Sequence, residues 1–166
     1  MEKTFKAALK AVDPYAAIMS HFSLKGSKLK AGPKTYDLDK FERIVVIGAG
    51  KAGYPMARAC EKLLGKRIDT GLVIVKDGHG GKLKRIEIAE GTHPLPSERN
   101  FKACQRLLEL AHSCGPKDLV LLLISGGGSA LLPAPVQSVS LKDKLEATKV
   151  LLGCGATITE LNCIRK

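Results

Sequence analysis

An α/β layer architecture is what this sequence predicts, on two observations. Four apolar runs of β type alternate with segments of helical periodicity, a pattern that disfavours an all-helical or all-β domain. Two of those runs, residues 44–47 and 119–124, empty directly into glycine turns, as strands do at the ligand edge of an α/β sheet. The 166 residues suffice for one compact domain with a sizeable core and no more.

Residues 3–12 carry a helical pattern. Asp13-Pro14 then reads as an N-cap followed by proline at the first position of a second helix, which would use Tyr15, Ile18, Met19 and Phe22. The polar, glycine-containing residues 23–40 read as a loop with room for a short edge element. Arg43 to Ile47 is the first parallel strand. After the turn at residues 48–53, Met56, Ala59, Cys60, Leu63 and Leu64 recur on one face of a helix that Gly65 stops. Pro55 is tolerated there because it falls in the first turn.

Residues 72–75 form a second strand, followed by a polar turn at residues 76–81. Residues 85–90 alternate with period two, as a strand exposed on one face does. Residues 91–96 make a loop stiffened by Pro94 and Pro96, and Ser97 caps a helix carrying Phe101, Cys104, Leu107, Leu108 and Ala111. Residues 119–124 show no alternation, which predicts a central strand covered by helices on both faces. Ala130-Leu131-Leu132 forms one short turn before Pro133. Ser140 and Asp143 make a capping box for a helix through Leu145, Val150 and Leu151, closed by Gly153. Thr157 and Glu160 repeat that signature, but this last helix has barely begun at Lys166. The sequence is therefore expected to be a truncated portion of a longer chain.

A formal net charge of +11, from 27 basic and 16 acidic residues, suits anionic partners in general. The basic residues are scattered with no arginine stripe, so no specific nucleic-acid partner is expected. Five cysteines include no C-x-x-C pair, and Cys60 and Cys104 fall at apolar helical positions, where they read as core thiols. The odd count and the lack of an apolar leader fit a reducing, cytoplasmic setting. No run has the length of a membrane span, so no membrane partner is expected. His21 and His112 read as surface residues near helix ends. His79 and His93 are far apart with no paired carboxylate, and no metal ligands are assigned. Asp77, Glu90 and Glu160 are the acids nearest to strand or helix ends, without a spacing that proves acid–base work.

Two loops carry the candidate chemistry. Ser125-Gly126-Gly127-Gly128-Ser129 follows the most apolar strand, and successive backbone N–H groups in such a turn can converge on an anion. Gly48-Ala49-Gly50-Lys51-Ala52-Gly53 follows the first strand, so two glycine turns and a buried-looking lysine are expected to share one crevice. Gly48-x-Gly50-x-x-Gly53 meets the bare dinucleotide fingerprint, but Asp69 precedes the second strand instead of ending it, and Asp77 lies beyond it behind Lys76. Gly50-Lys51 is not a Walker A loop, since it lacks the preceding glycine loop and the following Ser/Thr. Lys51 is expected in the first turn of a helix, where a positive charge opposes the macrodipole. An anionic ligand would explain that placement, and a solvated lysine is the alternative. Ser129 lacks the second glycine of a nucleophile elbow. Ser125 and Ser129 read better as hydroxyl donors to oxyanions, with structural capping as the alternative, and His93, fixed before Pro94, as a hydrogen-bond partner for a substrate.

These residues, together with residues 155–166, resemble the N-terminal half of the glycerate kinases of the two-domain, MOFRL-containing type. The resemblance rests on Gly48-Ala49-Gly50-Lys51-Ala52, on Ser125 through Pro133, and on Gly155-Ala156-Thr157-Ile158-x-Glu160-Leu161-Asn162-x-x-Arg165-Lys166. It implies a three-layer α/β/α sandwich with a mostly parallel, Rossmann-like sheet, of which residues 1–166 are an incomplete N-terminal part lacking the C-terminal domain. It also implies transfer of phosphate from ATP, with Mg2+, to D-glycerate, most often giving 2-phosphoglycerate. By the same resemblance Lys51 is catalytic. The Gly126, Gly127 and Gly128 amides and Ser125 or Ser129 would hold phosphate or glycerate oxygens, and Asn162 and Arg165 would line the cleft; Gly48 and Gly50, from the first glycine turn, and His93, from its place before Pro94, are counted with them as phosphate- or substrate-binding candidates. This portion alone is expected to be inactive and is open to homo-oligomer formation. A noncatalytic nucleotide- or anion-binding or partner-binding module is the alternative, and an NAD(P)-dependent oxidoreductase is a third reading.

Overall fold

The computed structural model describes residues 2–136 and 138–165. Helix α1 (Glu2–Ala11) and helix α2 (Pro14–His21) open the chain, and the Asp13 carboxylate accepts the Ala16 amide at 2.7 Å as the expected N-cap. Residues 23–40 depart from the expected loop. They complete a three-stranded antiparallel meander of β1 (Phe22–Lys25), β2 (Lys28–Ala31) and β3 (Lys34–Asp37), with turns at Gly26 and Gly32, both at φ +58°. The strands are short and rich in lysine, which hides them from a hydrophobicity reading. Only Leu29 is fully buried, and Phe22, Leu24 and Tyr36 pack beside it against the main core.

The main sheet is parallel, in the order β6-β5-β4-β7, built from β4 (Arg43–Ala49), β5 (Thr70–Lys76), β6 (Glu87–Gly91) and β7 (Asp118–Ile124). The chain steps outward from β4 to β6 and then returns to the other side of β4. The gap between the C-terminal ends of β4 and β7 is therefore the switch point where α/β sheets form crevices. Strand alternation feeds two cores. Val46, Val73 and Val75 meet Ala57, Cys60 and Leu64 of helix α3 (Gly53–Leu64) on one face. Val45, Ile47, Leu72 and Ile74 meet Ala103, Cys104 and Leu107 of helix α4 (Glu98–His112) on the other. The result is the three-layer, Rossmann-like α/β arrangement that the sequence pattern and the family resemblance predict. Burial raises the Cys60 thiol to about 11, as for a core thiol, and Leu108 of α4, placed by sequence on its apolar face, is 40% exposed.

Strand β7 corrects a second expectation. It is an edge strand in this chain, not a central one. Leu119 and Leu123 enter the first core, but Leu122 and Ile124 are 61% and 52% exposed, because α4 packs along β5 and β6 and does not reach them. Beyond β7 come the short α5 (Gly128–Leu131), α6 (Leu141–Gly153) and α7 (Ile158–Arg165). Both expected capping boxes form: Ser140 Oγ accepts the Asp143 amide at 3.1 Å, and the Glu160 carboxylate accepts the Thr157 amide at 2.8 Å. No helix among the described residues is long and apolar enough to cross a membrane.

Candidate functional site

Parallel pairing of β4 with β7 aligns Gly48 with Leu123 and Ala49 with Ile124, so both glycine turns leave the sheet side by side. They are stitched together. The Ser125 amide donates to Ala49 O at 3.1 Å, the Lys51 amide to Gly126 O at 2.9 Å, and the Ala52 amide to Ser125 Oγ at 3.0 Å. A methyl group on Gly48 would run into the carbonyl and Cβ of Leu123. One on Gly50, whose φ is +136°, would sit 2.7 Å from Ser125 O. Those two glycines are accounted for by the close passage of one turn over the other. The Ser125 hydroxyl is engaged in the same contact.

The glycines of the second turn differ. Gly127 stands at φ +93°, a left-handed conformation that an L side chain resists. A Cβ on it would lie 3.2 Å from His93 Cδ2 and Nε2 and 3.4 Å from Lys51 Cε. Lys51, His93 and Gly127 thus meet at one point, from the β4–α3 turn, the β6–α4 loop and the β7–α5 turn. Gly126 and Gly128 have nothing within 4 Å of the position a Cβ would take. Internal packing does not require either to be glycine, and the space beside them is open. The amides of Gly126, Gly127, Gly128 and Ser129 donate to no acceptor among the described residues. Such a row of unspent N–H groups can cradle an anion, as a nest of backbone amides does.

Lys51 lies just outside α3, not in its first turn, and it is exposed instead of buried: Ala52 is the N-cap and Gly53 the first helical residue. Freed from helical geometry, its side chain runs along the turn toward Gly127. Ser129 is exposed on α5, and Asn162 is exposed on α7, which packs on α6. Arg165 ends α7, its side chain lies outside the described residues, and so does Lys166. The structure thus gathers Lys51, His93, Gly126, Gly127 and Gly128 at one place, with Gly48, Gly50 and Ser125 as the framework beneath.

Asn100 is the residue that sequence reasoning missed. It is fully buried, and its Oδ1 receives the amides of Thr92 and Ser97, both at 3.0 Å. Its Nδ2 donates to Thr92 O at 3.0 Å and to Ala130 O at 3.3 Å. It therefore ties the His93 loop, with its cis His93–Pro94 bond, to the helix that follows the nest. The available signal was Ser97-x-x-Asn100, a capping box with asparagine where Glu or Gln is usual.

The acids take structural work. Asp69 accepts the Ile44 amide at 2.8 Å at the N-terminal edge of the sheet, opposite the glycine turns. Asp77 pairs with Arg99 at 2.8 Å, and Glu90 accepts the Gly80 amide at 3.0 Å. Among the described residues no group of three or more His, Cys, Asp or Glu could hold a metal ion.

Residues 1–166 match the family described as "Domain of unknown function (DUF4147)". The chain is 37% identical over 159 residues to a glycerate 2-kinase of Pyrococcus horikoshii, covering 96% of this chain and 35% of that protein. It is equally 37% identical, over 166 residues, to a putative hydroxypyruvate reductase of Agrobacterium vitis, covering all of this chain and 35% of the relative. A crystal structure of a P. horikoshii protein superposes with a TM-score of 0.89 at 36% identity, covering 99% of this chain and 37% of that one. The chain spans about a third of the length of these relatives.

Proposed function

The chain belongs to the DUF4147 family and is homologous to the N-terminal portion of the glycerate kinases, and from that premise we propose that it carries the anion-holding side of a cleft in which ATP phosphorylates D-glycerate to 2-phosphoglycerate. The observation that carries this reading is the nest: four unspent amides from Gly126 to Ser129, open space beside two of their glycines, and the Lys51 side chain against Gly127. In phosphoryl transfer the hydroxyl oxygen of the acceptor attacks the γ-phosphorus as the bond to the leaving oxygen breaks. Most catalysis then comes from placing groups around charge on the transferred phosphoryl. Lys51 and the nest amides would hold that charge, and His93 would donate to or accept from the substrate. Mg2+ would supply further charge neutralisation. Among the described residues no group of three or more His, Cys, Asp or Glu is placed to hold it, and no ligand for it is assigned.

The proposal includes a C-terminal part that completes the cleft, a cytoplasmic setting, and little turnover by residues 1–166 alone. It is tested by assaying the complete enzyme for phosphoglycerate formed from glycerate and ATP, alongside the Lys51→Ala variant. Near-normal turnover by that variant would remove Lys51 from the mechanism. Anion binding without turnover by the complete protein would favour a noncatalytic module.

A reductase is the second reading, favoured by the name of the A. vitis relative and by the spacing of Gly48, Gly50 and Gly53. Against it, a dinucleotide site needs a carboxylate at the end of β5 for the ribose. Asp77 there is paired with Arg99, and Asp69 is at the wrong end. Oxidation of NADH or NADPH in the presence of hydroxypyruvate would overturn the kinase assignment.

A further inference from the structure

We propose that the concavity formed by Arg58, Lys62, Lys66, Lys84 and Arg85 around Glu61 is a second anion-binding site, for a small ligand bearing a polyphosphate group, and is separate from the Lys51 loop. Helix α3 starts beside Lys51, and at about 1.5 Å per residue its Glu61 end lies roughly 12 Å further along the axis. Lys84 and Arg85 precede β6, at the N-terminal edge of the sheet, whereas the Lys51 loop sits at the C-terminal edge.

Charge bookkeeping within the concavity is lopsided. Seven ion pairs form among the described residues, and none includes any of these five cations. Glu61 is the only acid lining the site, and its oxygens are directed to backbone: they accept the amides of Lys84 at 3.0 Å, Arg85 at 2.7 Å and Ile86 at 3.3 Å. Glu61 thereby pins the basic segment against α3. The two arginines are also held, Arg58 over the Tyr15 ring at 4.7 Å and Arg85 by Ile68 O at 3.4 Å. The negative end of the α3 dipole favours Lys62 and Lys66 near Gly65. It does not call for Lys84 and Arg85, which arrive from a different segment and add like charge.

Five cations around one carboxylate that is spent on backbone amides are relieved by a multivalent anion. The concavity, of about 520 Å³, is of small-molecule size. Tyr15, the aromatic ring at its border, is already covered by Arg58, which closes that ring to a stacking base.

The test is calorimetric titration of tripolyphosphate, in roughly physiological salt, into the protein carrying Lys51→Ala and Gly126→Ala, so that both the lysine and the glycine loop of the first site are impaired. Saturable binding is expected, weakened at least tenfold when Lys62→Gln, Lys66→Gln and Lys84→Gln are added. These lysine side chains are exposed, so the thermal melt should stay unchanged. A measurement without substitutions backs it: tripolyphosphate should protect Lys62, Lys66 and Lys84 from acetylation more than it protects Lys102. ATP binding more tightly than tripolyphosphate would identify a nucleotide, and equal affinity the polyphosphate group alone; both support the site. Absence of binding, equal binding by the lysine variant, uniform acetylation, or tenfold tighter binding of a single-stranded oligonucleotide would overturn the proposal.

Discussion

The Ser125 hydroxyl accepts the Ala52 amide at 3.0 Å, joining the turn after β7 to the turn after β4. Ser125→Ala leaves that half-buried amide without its acceptor, and the expected cost is about 1 kcal/mol. Chemical denaturation should show a lower midpoint with an unchanged slope, since the compactness of neither state is altered.

Gly126 and Gly127 are neighbours with opposite requirements. Gly127→Ala forces a side chain into the left-handed region and against the His93 ring, and should lower stability by about 1–2 kcal/mol. Gly126→Ala meets nothing within the protein and should leave the thermal midpoint where it is, while its methyl group intrudes on the nest. Weaker phosphate binding with an unchanged melt is the signature expected of Gly126→Ala alone.

Lys51→Ala in the complete enzyme should lower kcat by about 100- to 1,000-fold, the range for removing one preorganised charge or donor from a transition state. The lysine is exposed and outside the helix, so folding should be untouched. Steady-state kinetics alongside a melting curve separates the two effects.

Asp37 couples the meander to pH. Hydrogen bonds from Lys28 and Ser27 lower its carboxyl from 3.8 to about 2. A carboxyl depressed in the folded state stabilises above its ordinary value and ceases to do so as pH falls through its folded value. The stability advantage of the parent over Asp37→Asn should therefore be constant above pH 4 and fade between pH 4 and 2. Denaturation midpoints across that range read it directly, and added salt should shrink the difference.

Leu122 and Ile124 present apolar side chains on an unpaired strand edge, a template for association. Residues 1–166 should self-associate as concentration rises, and Leu122→Lys with Ile124→Lys should suppress it. Light scattering against concentration makes the comparison.

The parts of the fold legible in the sequence are those whose signals are local. Asp13-Pro14, Gly65 and the two capping boxes mark helix ends by satisfying backbone groups a few residues away. The meander was illegible because Leu29 is its only fully buried side chain and four of its twelve strand residues are lysines, so that its strand state is decided by contact with the core. The candidate site divides in the same way. The glycine loops and Lys51 stand out by composition, whereas Asn100 is ordinary until its buried amide is seen linking Thr92, Ser97 and Ala130.

By itself the sequence determined the alternation of strands and helices, the glycine turns at two strand ends, and the family, because periodicity, capping and motifs are carried by residues close together in the chain. Only the tertiary structure decided that β7 is an edge, that Gly48 and Gly50 serve the crossing of two turns while Gly126 and Gly128 leave space, and that Lys51 and His93 converge on Gly127. Those outcomes depend on strand order and close approach between segments tens of residues apart, and no local pattern encodes the distance between them.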